Sequence, residues 1–262
     1  GSLSLATDLA AGVGQETALR TCLIAVGLGR ELGLPPAELQ DVYYTAGDSS
    51  ATGERARRTF SASNAAHTDF LVPPSLRLGL IDVLRRIGGS EGETILAEVL
   101  ATTGRGVEVA YLARVLEEIS PAKHRAAAIA AAKELLLNPP PIDSPNRLDD
   151  NSRAYLYEVL KMYGDNTYLQ EAQAKLIAPD GTVDRTTLSY LSMMLKEDAL
   201  PVLYAAYNDP RLTNVFEKSA MLNQALKYVG TKTQANEMLA AAVINDAMPS
   251  NLRSFIVMSL AG

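Results

Sequence analysis

From residue 79 onwards, apolar side chains recur at i, i+1, i+4 and i+5, a stripe along one face of a helix. The same six-residue pattern appears six times: a bulky residue, Leu or Ile, two variable residues, a small or apolar residue, and Leu. It reads Gly79-Leu80-Ile81-Asp82-Val83-Leu84, with Gly in the bulky slot, then Tyr111 to Leu116, Tyr155 to Leu160 and Tyr190 to Leu195. Met221 to Leu226 and Phe255 to Leu260 complete the series. The closing Leu falls at 84, 116, 160, 195, 226 and 260, giving spacings of 32, 44, 35, 31 and 34 residues. Periods in this range belong to repeats built from pairs of helices. The spacing of 44 spans Asn138-Pro139-Pro140-Pro141 through Asp150, a Pro/Asp/Asn-rich insertion that reads as a long loop.

Turn signals follow the motif at Gly88-Gly89, Ser120-Pro121, Gly164-Asp165 and Gly230-Thr231. The fourth unit lacks the glycine and runs Lys196 to Leu200, with Pro201 placed for the first turn of the next helix. Second helices are predicted over Thr94–Leu100, Arg125–Leu137, Tyr168–Ile177, Pro201–Tyr207 and Gln234–Ile244. No segment alternates apolar and polar residues over strand length, so the fold class expected is all-α.

These recurrences resemble the HEAT and armadillo-like superfamily, over about 188 residues from Ser75 to Gly262. The resemblance implies an α-solenoid of about five to six helical-pair repeats, with the second helices lining a concave surface. The role it implies is recognition of a protein or peptide by a rigid scaffold rather than catalysis. A globular helical bundle is the alternative packing. The last unit reaches Gly262 with a first helix and no second, so the array is expected to be cut short there or covered.

Residues 1–46 do not share the repeat. Leu3 to Leu9, Glu16 to Ala25 and Pro35 to Ala46 are ordered like the opening helices of HD-GYP-type and related HD-domain proteins, whose parent fold is a metal-dependent phosphohydrolase. The chain departs where that resemblance would need a His-Asp pair: after Ala46 comes Gly47-Asp48-Ser49-Ser50, and no Gly-Tyr-Pro motif follows. A degenerate, non-catalytic fragment is expected, and a fusion or deletion at Ala46/Gly47 is an alternative origin. Residues 47–74, rich in Gly, Ser, Ala, Thr and Arg, read as a flexible linker.

Composition narrows the function classes. The chain has 262 residues, is 47% hydrophobic and 21% charged, and has a formal net charge of −6, an ordinary balance for a folded, water-exposed protein. Nucleic-acid binding needs a basic stripe, and the one tight cluster is Arg55, Arg57 and Arg58 in the linker. No apolar run approaches the roughly 20 residues of a membrane span. A single cysteine, Cys22, allows no intramolecular disulfide, which fits a cytoplasmic compartment without requiring it. Gly1-Ser2 reads as the scar of a cleaved tag, so an original leader is not excluded.

Candidate chemistry is sparse, and neither a catalytic residue, a cofactor nor a metal ligand is expected. The two histidines, His67 and His124, have no carboxylate beside them in sequence, and a two-metal hydrolase needs several such ligands. Gly27-Leu28-Gly29-Arg30-Glu31-Leu32-Gly33 places its third glycine one position late for a dinucleotide loop and follows no strand. Glu117-Glu118 and Asp149-Asp150 are adjacent pairs, which a helix splays about 100° apart. Pro179-Asp180-Gly181-Thr182 reads as a turn rather than a calcium loop.

Tyrosine points to recognition, since it is enriched at binding hot spots. Tyr111, Tyr155 and Tyr190 share one repeat slot and are expected to pack between units, whereas Tyr157, Tyr204 and Tyr207 fall outside it and are the candidate protein-binding residues. The leading expectation is a non-enzymatic scaffold. A regulatory or oligomerisation module built on the N-terminal fragment is the second. A phosphohydrolase-related or nucleic-acid-binding solenoid is the third.

Overall fold

The computed structural model describes residues 75–142 and 148–245, with isolated positions at Ile24, Gly27, Thr68, Ser250, Arg253, Ser254 and Met258. Apart from Ile24, Gly27 and Met258, the expected N-terminal hairpin, most of the linker and the sixth motif from Phe255 to Leu260 lie outside the described residues. The described chain is all-helical, and its one β-type pairing is the isolated bridge between Ile177 and Val183. Among the described residues no helix is long and apolar enough to cross a membrane. Two compact units meet in sequence at Tyr163/Gly164.

In the first unit, α1 (Leu76–Ile87) starts where the Ser75 hydroxyl accepts the Leu78 N–H at 3.3 Å. It stops at Gly88, whose φ of 67° suits a residue without a Cβ. Next come α2 (Gly89–Thr102), α3 (Gly106–Ile119), α4 (Arg125–Leu137) and α5 (Ser152–Met162). Helix α3 is buried almost all round, from Val107 to Leu116, because α1, α2, α4 and α5 all pack against it. Helix α4 buries Ala128, Ala132 and Leu136, a spacing of four that keeps small residues on one face and lets neighbours approach closely. Helices α3 and α5 meet so tightly that a Cβ on Gly106 would fall 2.4 Å from the Ser152 hydroxyl oxygen.

In the second unit, α6 (Leu169–Ala174) and α7 (Arg185–Leu195) precede α8 (Ala199–Tyr207), α9 (Val215–Ala225) and α10 (Thr233–Ile244). Asp184 caps α7 by accepting from the N–H groups of Thr186 and Thr187, and Asn214 caps α9 through the Phe216 N–H. Where the sequence lacks a glycine, the C-cap of α7 is Lys196 at φ 53°. The expected turn at 179–182 is present: Asp180 Oδ1 accepts from both the N–H and the hydroxyl of Thr182. Helix α6 is shorter than the Tyr168–Ile177 span expected of it. After Lys175 the chain leaves the helix and brings Ile177 beside Val183.

Within each unit every helix packs on its sequence neighbour, and most also pack on the helix two along: α1 with α3, α2 with α4, α3 with α5, α7 with α9 and α8 with α10. Polar cross-links follow the spacing of the sequence motif. Where the closing Leu residues are 32 apart, Arg77 pairs with Glu108 at 2.5 Å and Arg85 with Glu118 at 2.9 Å, separations of 31 and 33 residues. Across the 44-residue spacing, Arg105 reaches Asp149 and the Gly106 N–H donates to the Ser152 hydroxyl, 44 and 46 residues apart. In the second unit Arg185 pairs with Glu217 and the Tyr228 hydroxyl donates to the Lys196 carbonyl, both 32 apart. Residues about one motif spacing apart are therefore held side by side within each unit.

Candidate binding cleft

The short α6 leaves an opening. Helices α2 and α4 close on one another, as do α8 and α10, but α6 and α8 are separated by a cleft of about 370 Å³. Leu176 and Ile177, both at least 95% buried, form its floor. Gln173 stands on one bank, and Pro201, Val202 and Ala205 of α8 on the other. Ala206, itself buried, completes this apolar α8 bank, and the same helix buries Leu200 and Leu203.

Arg211 and Asp209 close one end of the cleft. The guanidinium donates twice to the Asp209 carboxylate, at 3.0 and 2.8 Å, and its Nη1 donates to the Ile177 carbonyl at 3.3 Å. The side-chain bonds from Arg211, with its backbone N–H, hold the Asp209 carboxyl down at about 2. A guanidinium fixed in this way is a positioned donor, and the wall beside it is hydrophobic. Such an arrangement can hold an apolar side chain and satisfy a neighbouring peptide carbonyl. The cleft lining contains no nucleophile and no histidine.

The tyrosines fall differently from expectation. Tyr111, Tyr155 and Tyr190 are 3%, 3% and 1% exposed, consistent with one shared packing slot. Tyr157 and Tyr207, expected on the surface, are each only 4% exposed. Tyr157 sits on α5, which α3 and α4 both cover, so a position outside the motif slot is still inside the core. Tyr207 lies one turn beyond Leu203 on the buried face of α8, with the Lys218 ammonium 5.1 Å from its ring centroid. Tyr204 is half-buried and its hydroxyl is pushed up by a hydrogen bond to Glu237. None of the three lines the cleft.

His124 also differs. Its Nε2 lies 2.6 Å from Glu93 Oε1, a carboxylate 31 residues upstream, and Lys123 binds the same oxygen at 2.8 Å. Hydrogen bonds from Lys123 first, then His124 and Ser120, hold the Glu93 carboxyl at about 2. The group ties α2 to the turn before α4. Glu117 and Glu118, adjacent in sequence, face different partners: Glu117 binds Arg125 and Glu118 binds Arg85. Among the described residues no three of His, Cys, Asp and Glu converge as metal ligands. His67 and Cys22 lie outside the described residues, as does the 27–33 glycine segment apart from Gly27.

Gln173, Val202, Ala205 and Arg211 were not singled out by the sequence. The available signals were the early Pro201 and the Asp209-x-Arg211 pair, and neither is distinctive alone. Comparison with protein families, curated proteins and solved structures finds no match to this chain.

Proposed function

We propose that residues 75–262 form a HEAT-like α-solenoid that acts as a non-enzymatic scaffold and takes a protein or peptide segment on its row of second helices. Within the second unit, the cleft between α6 and α8 receives an apolar side chain of that segment. The observation carrying this reading is the break in the row: α8 packs on α10 but leaves its other flank open towards α6. The polar cross-links at motif spacing support the stacked-hairpin reading, because a stack joins like positions of neighbouring repeats. Arg211 and Gln173 supply donors beside the apolar wall, the mixture by which a cleft fixes the direction of a bound chain.

Selection of random peptides displayed against the purified chain tests this. Enriched peptides should share an apolar anchor and bind at least about tenfold more weakly to Ala205→Trp, which fills the cleft, a loss of about 1.4 kcal/mol. The variant should melt at an unchanged temperature, since Ala205 is exposed. Peptides that bind the filled variant as well as the parent would remove the cleft from the site. No enrichment at all would remove the scaffold reading.

A further inference from the structure

We propose that the insertion after α4 carries a second recognition element, a polyproline ridge that docks into the aromatic-lined groove of a folded partner domain. Asn138, Pro139, Pro140 and Pro141 are all exposed and belong to no helix, and Leu137 just before them is 48% exposed. Pro139 and Pro140 are each followed by proline. That disfavours helical backbone, while the ring fixes φ near about −65°, and together these favour the polyproline II form at both. This form has three residues per turn and no internal hydrogen bonds.

Its three ridges are therefore distinct. The Pro140 ridge is spent on the protein itself: its Cγ lies 2.9 Å from where a Cβ of Gly104 would stand, so the ring rests on the bare backbone between α2 and α3. The other two ridges carry Pro139, with Ile142 following it in register, and Pro141. Both prolines face solvent. Domains that read polyproline use two adjacent ridges of a preformed helix, and a ligand already held in shape loses little entropy on binding. Prolines exposed on two ridges and anchored by the third have the form such a groove accepts. The element is independent of the α6–α8 cleft, and it lies where the motif spacing widens to 44 residues.

The probes are four purified domains that read proline segments (an SH3, a WW, an EVH1 and a profilin), each titrated by surface plasmon resonance onto the immobilised full chain. At least one should give a saturable response that falls about tenfold or more in Pro139→Ala and in Pro141→Ala. Ala205→Trp should leave that response unchanged, which separates this element from the cleft. Absence of a saturable response with all four domains overturns the proposal. So does binding that persists unchanged in both proline variants, with their melting temperatures equal to that of the parent.

Discussion

The two units solve the same packing problem with different completeness. In the first, α2 and α4 close directly, and α3 is surrounded by four helices. In the second, α8 has α9 and α10 as close neighbours but faces open space towards α6, a helix of 6 residues. Where a helix at this place in a unit is long enough, it covers its neighbour. Where it stops short, the next helix keeps an apolar flank in water, and that flank is available for a partner. Helix length, more than residue chemistry, distinguishes the closed unit from the one proposed to bind.

The largest expected effect tests that difference by overfilling both places. Ala132 is fully buried on α4, in the closed first unit, and Ala205 lines the cleft on α8. Ala132→Leu should cost about 2 kcal/mol, because added methylenes in a packed site force rotamers and backbone aside. Ala205→Leu should change stability by no more than about 0.5 kcal/mol, as for a surface substitution. Urea denaturation midpoints with unchanged slopes measure both. A comparable loss at the two sites would mean that α6 and α8 pack as tightly as α2 and α4.

A smaller contrast lies in how the helices end. Gly88 closes α1 at φ 67°, while Lys196 closes α7 at φ 53° and ψ −118°, a backbone that side chains disfavour. Lys196→Gly should raise stability by about 1 kcal/mol, since the carbonyl that accepts from Tyr228 is backbone and is retained. Gly88→Ala should lower it by a similar amount. Thermal melting reads both shifts, and a Lys196→Gly variant that melts lower would show that the lysine side chain stabilises the cap.

What could be seen in the sequence was local. The i, i+1, i+4, i+5 stripe and the glycine at 88 act within one or two turns, so residues near each other in the chain reveal the helices. The missing glycine at 196 was visible, but the positive φ it left behind was not. The cleft depends on where α6 ends relative to α8, some 25 residues later, and no periodicity encodes that distance. Tyr157 and Tyr207 were misplaced for a related reason: a repeat slot says which residue recurs, not how many neighbours cover the helix that carries it. His124 gained its carboxylate from 31 residues upstream, a pairing that adjacency in sequence cannot show.

The smallest effect concerns acid, and it too separates the units. Glu93 falls from 4.5 to about 2 through bonds from Lys123, His124 and Ser120, and Asp209 falls from 3.8 to about 2 through Arg211. A folded value below the unfolded one means that each carboxylate's stabilisation is complete above its unfolded value and fades as the pH drops towards 2. The two differ in what they join. Glu93 binds a turn some 30 residues away and so holds α2 to the start of α4, whereas the strongest partner of Asp209 is two residues along the chain. Contacts that close a long loop are lost on unfolding, while a pair two residues apart stays within reach in the unfolded chain. Glu93→Gln should therefore flatten the acid limb of stability between neutral pH and about pH 2, and Asp209→Asn should flatten it less. Urea midpoints measured across that range give the two slopes. Equal flattening would show that the Arg211 bond to the Ile177 carbonyl, 34 residues away, makes the Asp209 pair as long-range a fastening as Glu93.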